Sequence, residues 1–360
     1  MRALSLRITM TLGLLAGMVV VATASSGAAE TAKAAPKYQY GINTYFTYNC
    51  QGYSTIESWA RTEFAQVKAL RANTIAIAFP LYTDSITSNS IYAKLVCGNA
   101  KYQTPPADLM GAVVDIAHAD GLQVFLRPLL DQATLYAQGP NYWRGVLAPT
   151  NLNAWFTNYL VTLRPYLLMA QAHHVEHLSI STELNSLSHA PNWSSAITIV
   201  HRLYQGDLAF DWSWFTTVVK IPHTATSTAI DTYPGIVAST PTSTNGQLLA
   251  GWNRLATYPA YKVPNWSQTT IDEVGISAQN GMFAEPWMTG LPLSKYPFNQ
   301  SIQSKWFTVA CAFMKARHMK GIYYWGPWLG NYGGSLLKSP KPSDPSDIQP
   351  LAQSAIKACF

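Results

Sequence analysis

The segment Val175-Glu-His-Leu-Ser-Ile-Ser-Thr-Glu183 is a short apolar run that closes on a carboxylate, with polar Asn185 just beyond it. Runs of this kind suit strands buried on both faces, as in a parallel sheet. Working outward, seven more occur: Tyr38–Phe46, Thr74–Tyr82, Leu122–Leu130, Leu208–Trp214, Ser227–Tyr233, Thr269–Val274 and Gly321–Trp325, beside Val175–Thr182 itself. Helical patterns lie between them. Ser54-Thr-Ile-Glu57 has the form of a capping box opening a helix to Arg71. The stretch from Pro105 to Asp120 starts on prolines and stops at Gly121. Asn151 can cap a long helix to about His173, and further helices are expected over 192–204, 245–256, 300–318 and 344–358. Pro222 limits the helix between strands five and six, and 240–246 and 338–346 read as surface loops. Eight strands alternating with helices predict a single-domain α/β fold, the (β/α)8 or TIM barrel, over residues 36–360. The alternative is an open doubly wound sheet, which normally places a glycine-rich phosphate turn after its first strand. Here that strand leads into Asn43-Thr-Tyr-Phe-Thr-Tyr-Asn-Cys-Gln-Gly52, which has no such turn.

The N-terminus has another character. Arg2 and Arg7 precede the apolar stretch Ile8–Ala22, and small residues follow, the pattern of a secretory signal peptide over 1–29. An exported protein is therefore expected, extracellular, with no membrane attachment once the signal is removed. Four cysteines allow three pairings; export favours disulfides, with Cys50–Cys97 and Cys311–Cys359 the preferred pairs. Charged residues make up only 12% of the chain, against roughly 25% in ordinary soluble domains. The surface must then be rich in hydroxyl, amide and aromatic groups, which suits a neutral, hydroxyl-bearing partner. Lys and Arg are scattered, so no basic stripe marks a nucleic-acid binder. No Cys or His spacing suggests a metal, and His173, His174 and His177 are read as structural. Sequons stand at Asn192, Asn265 and Asn299. A monomer is expected.

Barrel enzymes build their sites at the C-terminal ends of the strands. Those ends supply Asn43, Tyr82, Arg127 with Asp131, Glu183 with Asn185, Asp211 with Trp212, Tyr233, Glu273, and Trp325 with Trp328. Only seven glutamates occur in the chain, and two of them, Glu183 and Glu273, end strands four and seven. Two carboxyls facing one cleft can cleave a glycosidic bond, one giving a proton and the other attacking the anomeric carbon. Glu183 must then stay protonated near neutral pH, through apolar walls or the charge of Glu273. Tyr233 is placed to donate to Glu273, and Trp212, Trp214, Trp325 and Trp328 could stack on sugar rings. Arg127 reads either as a cation near the site or as an ion-pair partner of Asp131. Strand alternation turns Asp272 away from the site, while Asp231 shares a face with Tyr233. No metal or organic cofactor is required by such chemistry.

Taken in order, Tyr40-Gly-Ile-Asn43, Ser181-Thr-Glu-Leu184, Ile230-Asp-Thr-Tyr-Pro234, Glu273-Val-Gly275 and Trp325-Gly-Pro-Trp328 resemble the retaining glycoside hydrolases of clan A. Within that clan the chain most resembles glycoside hydrolase family 113. The resemblance implies Glu183 as acid/base, Glu273 as nucleophile and Trp325 as the floor of the subsite at the scissile bond. It also implies endo action on a neutral β-linked polysaccharide, β-1,4-mannan first and a β-glucan or another hemicellulose second. Two positions depart from the clan pattern. Thr182 stands where many members carry the Asn that holds the sugar 2-hydroxyl, and strand three reads Phe125-Leu-Arg-Pro128 in place of Lys-Pro. These departures leave open a barrel that binds sugar without cutting it.

Overall fold

Strands β1 (Gln39–Phe46), β2 (Thr74–Leu81), β3 (Gln123–Leu130), β4 (His177–Ser179), β5 (Asp207–Ser213), β6 (Ser227–Asp231), β7 (Thr269–Val274) and β8 (Gly321–Leu329) pair in parallel, each with its sequence neighbours. β8 returns to β1 and closes the barrel. The structure is a computed structural model that describes residues 38–97, 103–130, 133–139, 141–214, 220–222, 224–329, 336 and 338–360. The expected signal segment 1–29 lies outside the described residues. Helices α1 (Tyr53–Ala69), α2 (Ala107–Ala119), α3 (Ala133–Tyr136), α4 (Leu152–Ala172), α5 (Asn192–Leu203), α6 (Asn245–Leu255), α7 (Gln300–Ala316) and α8 (Pro350–Cys359) occupy the connections. The single-domain (β/α)8 barrel expected from the alternation is the fold, and the open sheet is excluded by the β8–β1 pairing.

Side chains alternate along each strand, and the two faces have different partners. Outward residues such as Ile75, Ile77, Leu126, Leu178, Phe210, Ile230 and Ile322 pack against the helices in the large core. Inward residues fill the barrel in layers, the lower one built from Ala76, Phe125, Ala209, Ala229 and Tyr323. The Tyr323 ring fits there because Gly41 opposite has no side chain; a Cβ at Gly41 would lie 2.1 Å from the ring. Tyr45, Ala78 and Leu129 form an upper layer, with Trp325 packed on it. Between these layers the inward positions are polar, and they carry the site.

Several boundaries differ from the sequence expectation for identifiable reasons. β4 spans only three residues, because after the Ile180 amide reaches the Ala209 carbonyl the chain turns and side chains, from Ser181 on, take over the pairing with β5. β6 stops at Asp231, and β8 runs on to Leu329 beside β1. α1 begins at Tyr53, not with a box at Ser54: the Thr55 and Ile56 amides both reach the Gly52 carbonyl, which makes Gly52 the cap. Asn151 does cap α4, accepting from the Ala154 amide at 3.1 Å. An unforeseen capping box, Thr244 with Gln247, opens α6 from within the stretch read as a loop. The helix expected between β5 and β6 falls partly on 215–219 and 223, outside the described residues. Both preferred disulfides are present, Cys50–Cys97 and Cys311–Cys359.

Candidate active site

Glu183 stands four residues past the end of β4, in a turn closed by the Leu184 amide on the Ser181 carbonyl at 2.8 Å. Its φ is 53°, a left-handed conformation that costs an ordinary residue about 1 kcal/mol. The turn is held against β5 by side chains. The Ser181 hydroxyl donates to the Asp211 carbonyl at 2.9 Å and accepts from the Asp211 amide at 2.8 Å. Asn185 accepts from the Ser213 amide at 3.0 Å and donates to its carbonyl at 2.8 Å. The Glu183 side chain is 11% exposed and accepts from Arg144 Nε at 3.2 Å.

Glu273 reaches the same end of the barrel by a different device. Ile271 pairs with Ile230 and Ile322, but the next partners are Glu273 for Asp231 and Val274 for Tyr324. β7 therefore carries one extra residue against both neighbours, a β-bulge. Ile271 and Val274 both keep their places in the outer core, and the extra residue is taken up between them by Asp272 and Glu273. Asp272, expected to face away, is instead fully buried within reach of the charges of Asp211 and Arg127. Strict alternation fails at a bulge, which is why the expectation for Asp272 does not hold.

Both oxygens of Glu273 are occupied. Arg127 Nη1 donates to Oε2 at 2.9 Å, and the Tyr233 hydroxyl donates to Oε1 at 2.5 Å. Arg127 is wholly buried; its Nη2 also donates to Asp211 at 2.8 Å and to both oxygens of Asp231 at 2.6 Å. Burial alone would depress the guanidinium, but Asp231, Asp211 and Glu273 hold it well above the ordinary arginine range. Burial, reinforced by the charge of Glu273, holds the Tyr233 phenol well above its usual range, so it remains a donor. Burial is also the main cause that pushes Glu183 up to about 7; Arg144 opposes it, and Glu273 and Asp211 add to it. Two carboxyls in one charged cluster thus differ in surroundings, the arrangement that lets one act as acid and the other as nucleophile.

The family model of Glycoside Hydrolase Family 113 matches residues 44–333. The chain belongs to glycoside hydrolase family 113. It is accordingly a glycoside hydrolase. No match was found among curated proteins. Among solved structures, a family 113 β-1,4-mannanase complex superposes with a TM-score of 0.66 at 16% identity, covering 90% of this chain and 99% of that one. The family 113 β-mannanase of Alicyclobacillus acidocaldarius, in complex with ManMIm, gives 0.67 at 18%, covering 90% and 97%. A family 5 subfamily 18 protein of Streptomyces cattleya gives 0.52 at 10%, covering 89% and 80%. At these identities the likenesses show a shared fold.

Within this family 113 barrel the other expected site residues are placed unevenly. Tyr233 and Arg127 meet at Glu273, but Arg127 has no exposed surface and its partners are Asp211 and Asp231. Arg127 therefore offers no exposed atom to the cleft. Asn43 is fully buried beneath the site, its amide on the Asp272 carbonyl at 3.1 Å. Asn185 is 1% exposed and engaged with β5 as described. Trp212 is 4% exposed in the outer core, because it lies one position beyond inward-facing Asp211 and so points to the helices. Trp325 is partly exposed at the mouth, its ring centroid 6.2 Å from that of Tyr45. Trp328 pairs by backbone with Tyr45, and Asp131 lies outside the described residues. Arg144 and Asp272 were not among the expected site residues, and Asp211 was placed at a strand end without a role. The signal for Asp272 was its place in a strand end of a chain with few charges; Arg144 lies in the connection between α3 and α4, where no pattern in the sequence marks it.

Proposed function

We propose that this family 113 glycoside hydrolase is an exported endo-β-1,4-mannanase that acts with retention, Glu183 serving as acid/base and Glu273 as nucleophile. One observation carries the reading. Glu273 is gripped by a guanidinium and a phenol that aim it, while Glu183, in the same cluster, is pushed up to about 7. Glu183 then gives its proton to the leaving glycosidic oxygen as Glu273 attacks the anomeric carbon. Water, deprotonated by Glu183, afterwards releases the sugar from Glu273. Partly exposed Trp325 offers an apolar platform for a pyranose face beside the cleaved bond. The choice of mannan is supported by the β-1,4-mannanases among the family 113 structures of like fold. Export is supported by the leader-like N-terminus and the two disulfides.

Release of reducing ends from mannan, glucomannan, xylan and β-glucans by the purified protein tests the substrate, with the product anomer followed by NMR. Turnover on mannan with the β-anomer formed first is the expected result. Glu183→Gln and Glu273→Gln should each lower kcat at least about 100-fold while mannooligosaccharide affinity by calorimetry persists. Binding of mannan without turnover by the unaltered protein would return the non-catalytic reading.

A further inference from the structure

Each of the two glutamates has its own arginine, and the two arginines are held differently. Arg127 is surrounded by Asp211 and Asp231 as well as Glu273, so its charge is shared among carboxylates. Arg144 approaches from the connection between β3 and α4, in a 3-10 turn at Arg144–Val146. Its Nη1 donates to the Leu130 carbonyl at 3.0 Å, at the last residue of β3. Its Nε then points to Glu183 Oε2 at 3.2 Å, with both side chains at or below 11% exposure. The connection carrying Arg144 is fastened to the turn carrying Glu183, since the Ser186 hydroxyl donates to the Leu147 carbonyl at 2.7 Å. Gly145 lets the Trp143 ring close over the turn; a Cβ there would meet the ring at 2.1 Å. The guanidinium is therefore built into position.

We propose that Arg144 is the positioning residue of the acid/base: it orients the Glu183 carboxyl and supplies the counter-charge for its ionised form. The inference rests on the reading of Glu183 given under Proposed function. In the first half-reaction the bond from the anomeric carbon to the leaving oxygen breaks, a bond to Glu273 forms, and the proton of Glu183 passes to the leaving oxygen. Glu183 is left as a carboxylate in a nearly dry site, where an unpaired charge is costly. Arg144 Nε, already directed at Oε2, meets that charge. In the second half-reaction Glu183 takes a proton from water, the water oxygen bonds the anomeric carbon, and Glu273 leaves with its electron pair. The same cation thus favours the first proton transfer and keeps Glu183 ionised between the steps, while weakening it as the base of the second, setting a compromise between them. Glu183 also faces Arg127, Asp211, Asp231 and Glu273 from the barrel, with Tyr233 and Tyr136 at its rim. Of these, Arg144 and Arg127 pull its titration down, and Glu273 and Asp211 push it up.

The pH profile of kcat/KM on a mannooligosaccharide tests this in Arg144→Gln and Arg144→Lys. The Gln variant should move the basic limb up by about one pH unit. With an activated aryl β-glycoside, whose departure needs little acid, it should also show a burst of aglycone near neutral pH, because less of Glu183 is then ionised to serve as base in the second half-reaction. The Lys variant should keep the limb near its original pH. A Gln variant that loses activity equally at every pH, with the limb unmoved and no burst, overturns the proposal and marks Arg144 as purely structural. If the Gln variant does not fold, the Lys variant decides alone. A limb in place with part of kcat retained supports the inference, and a limb displaced despite the retained charge overturns it. An unaltered protein inert on every β-glycan would instead overturn the functional reading, and the role of Arg144 with it.

Discussion

At the scale of single residues, the informative position is Glu183. It adopts a left-handed φ of 53° that glycine or asparagine would accept more readily. Strain held at a polar turn is a feature of sites where geometry matters more than stability. Burial pushes its carboxyl up to about 7, and the consequence for activity has a definite sign. The acid must be protonated to serve the leaving group, so kcat/KM should fall about tenfold per pH unit above about 7. Stability should move in the same direction. The unfolded carboxyl ionises near its ordinary 4.5, so between 4.5 and about 7 the folded protein holds the extra proton. Stability therefore declines as pH rises through that window, and Glu183→Gln should flatten part of the decline in thermal melts taken from pH 4 to 8. A melt temperature equally steep in the variant would refute the assignment.

At the scale of elements, the bulge in β7 and the brevity of β4 do related work. Each breaks the regular ladder where a catalytic candidate must be aimed, one by an inserted residue and the other by an early stop. Elsewhere the elements are pinned. α7 and α8 are joined by Cys311–Cys359, by Lys315 Nζ on the Cys359 carbonyl at 2.7 Å, and by the Gln349 amide on Gln303 at 2.8 Å. The bridge spans a sequence separation of 48, and closing a loop of that length restrains the unfolded chain by about 4 kcal/mol. Replacing both cysteines by serine should lower the free energy of unfolding measured in urea by about 2–4 kcal/mol once native relaxation is allowed for. The activity profile should stay in place, because Cys311 and Cys359 lie in the outer core, whereas Glu273 belongs to the charged cluster inside the barrel.

At the scale of the whole molecule, Arg127 on β3 binds carboxylates from β5, β6 and β7 inside the barrel. The cluster links half the ring through groups that are buried except for Glu273, which is partly exposed. Removing one partner of a buried ion pair leaves the others uncompensated, at about 3–5 kcal/mol. Arg127→Met should cost that much in denaturant unfolding and should also abolish most turnover, because Glu273 loses its donor. Added salt should rescue neither effect, since buried charges are poorly screened. A variant of wild-type stability would show that the cluster is already neutralised by shared protons.

Local chemistry was enough to specify the barrel and to put the two glutamates at or just past strand ends, and the order of the elements favoured the two disulfides among three pairings. Apolar runs of strand length, helical periods between them and caps such as Asn151 act over a few residues, so they are written in contiguous sequence. The rest depends on what distant segments bring to one point. Asp272 turned inward only because β7 must fit two neighbours whose registers it exceeds by one residue. Trp212 went to the outer core and Arg127 to a buried cluster because facing, not residue type, assigns them. Arg144 met Glu183 because a connection from β3 folds over the turn after β4, across a separation of 39 residues. Burial and through-space charge exist only once the chain has closed, so partners and titration belong to the tertiary structure.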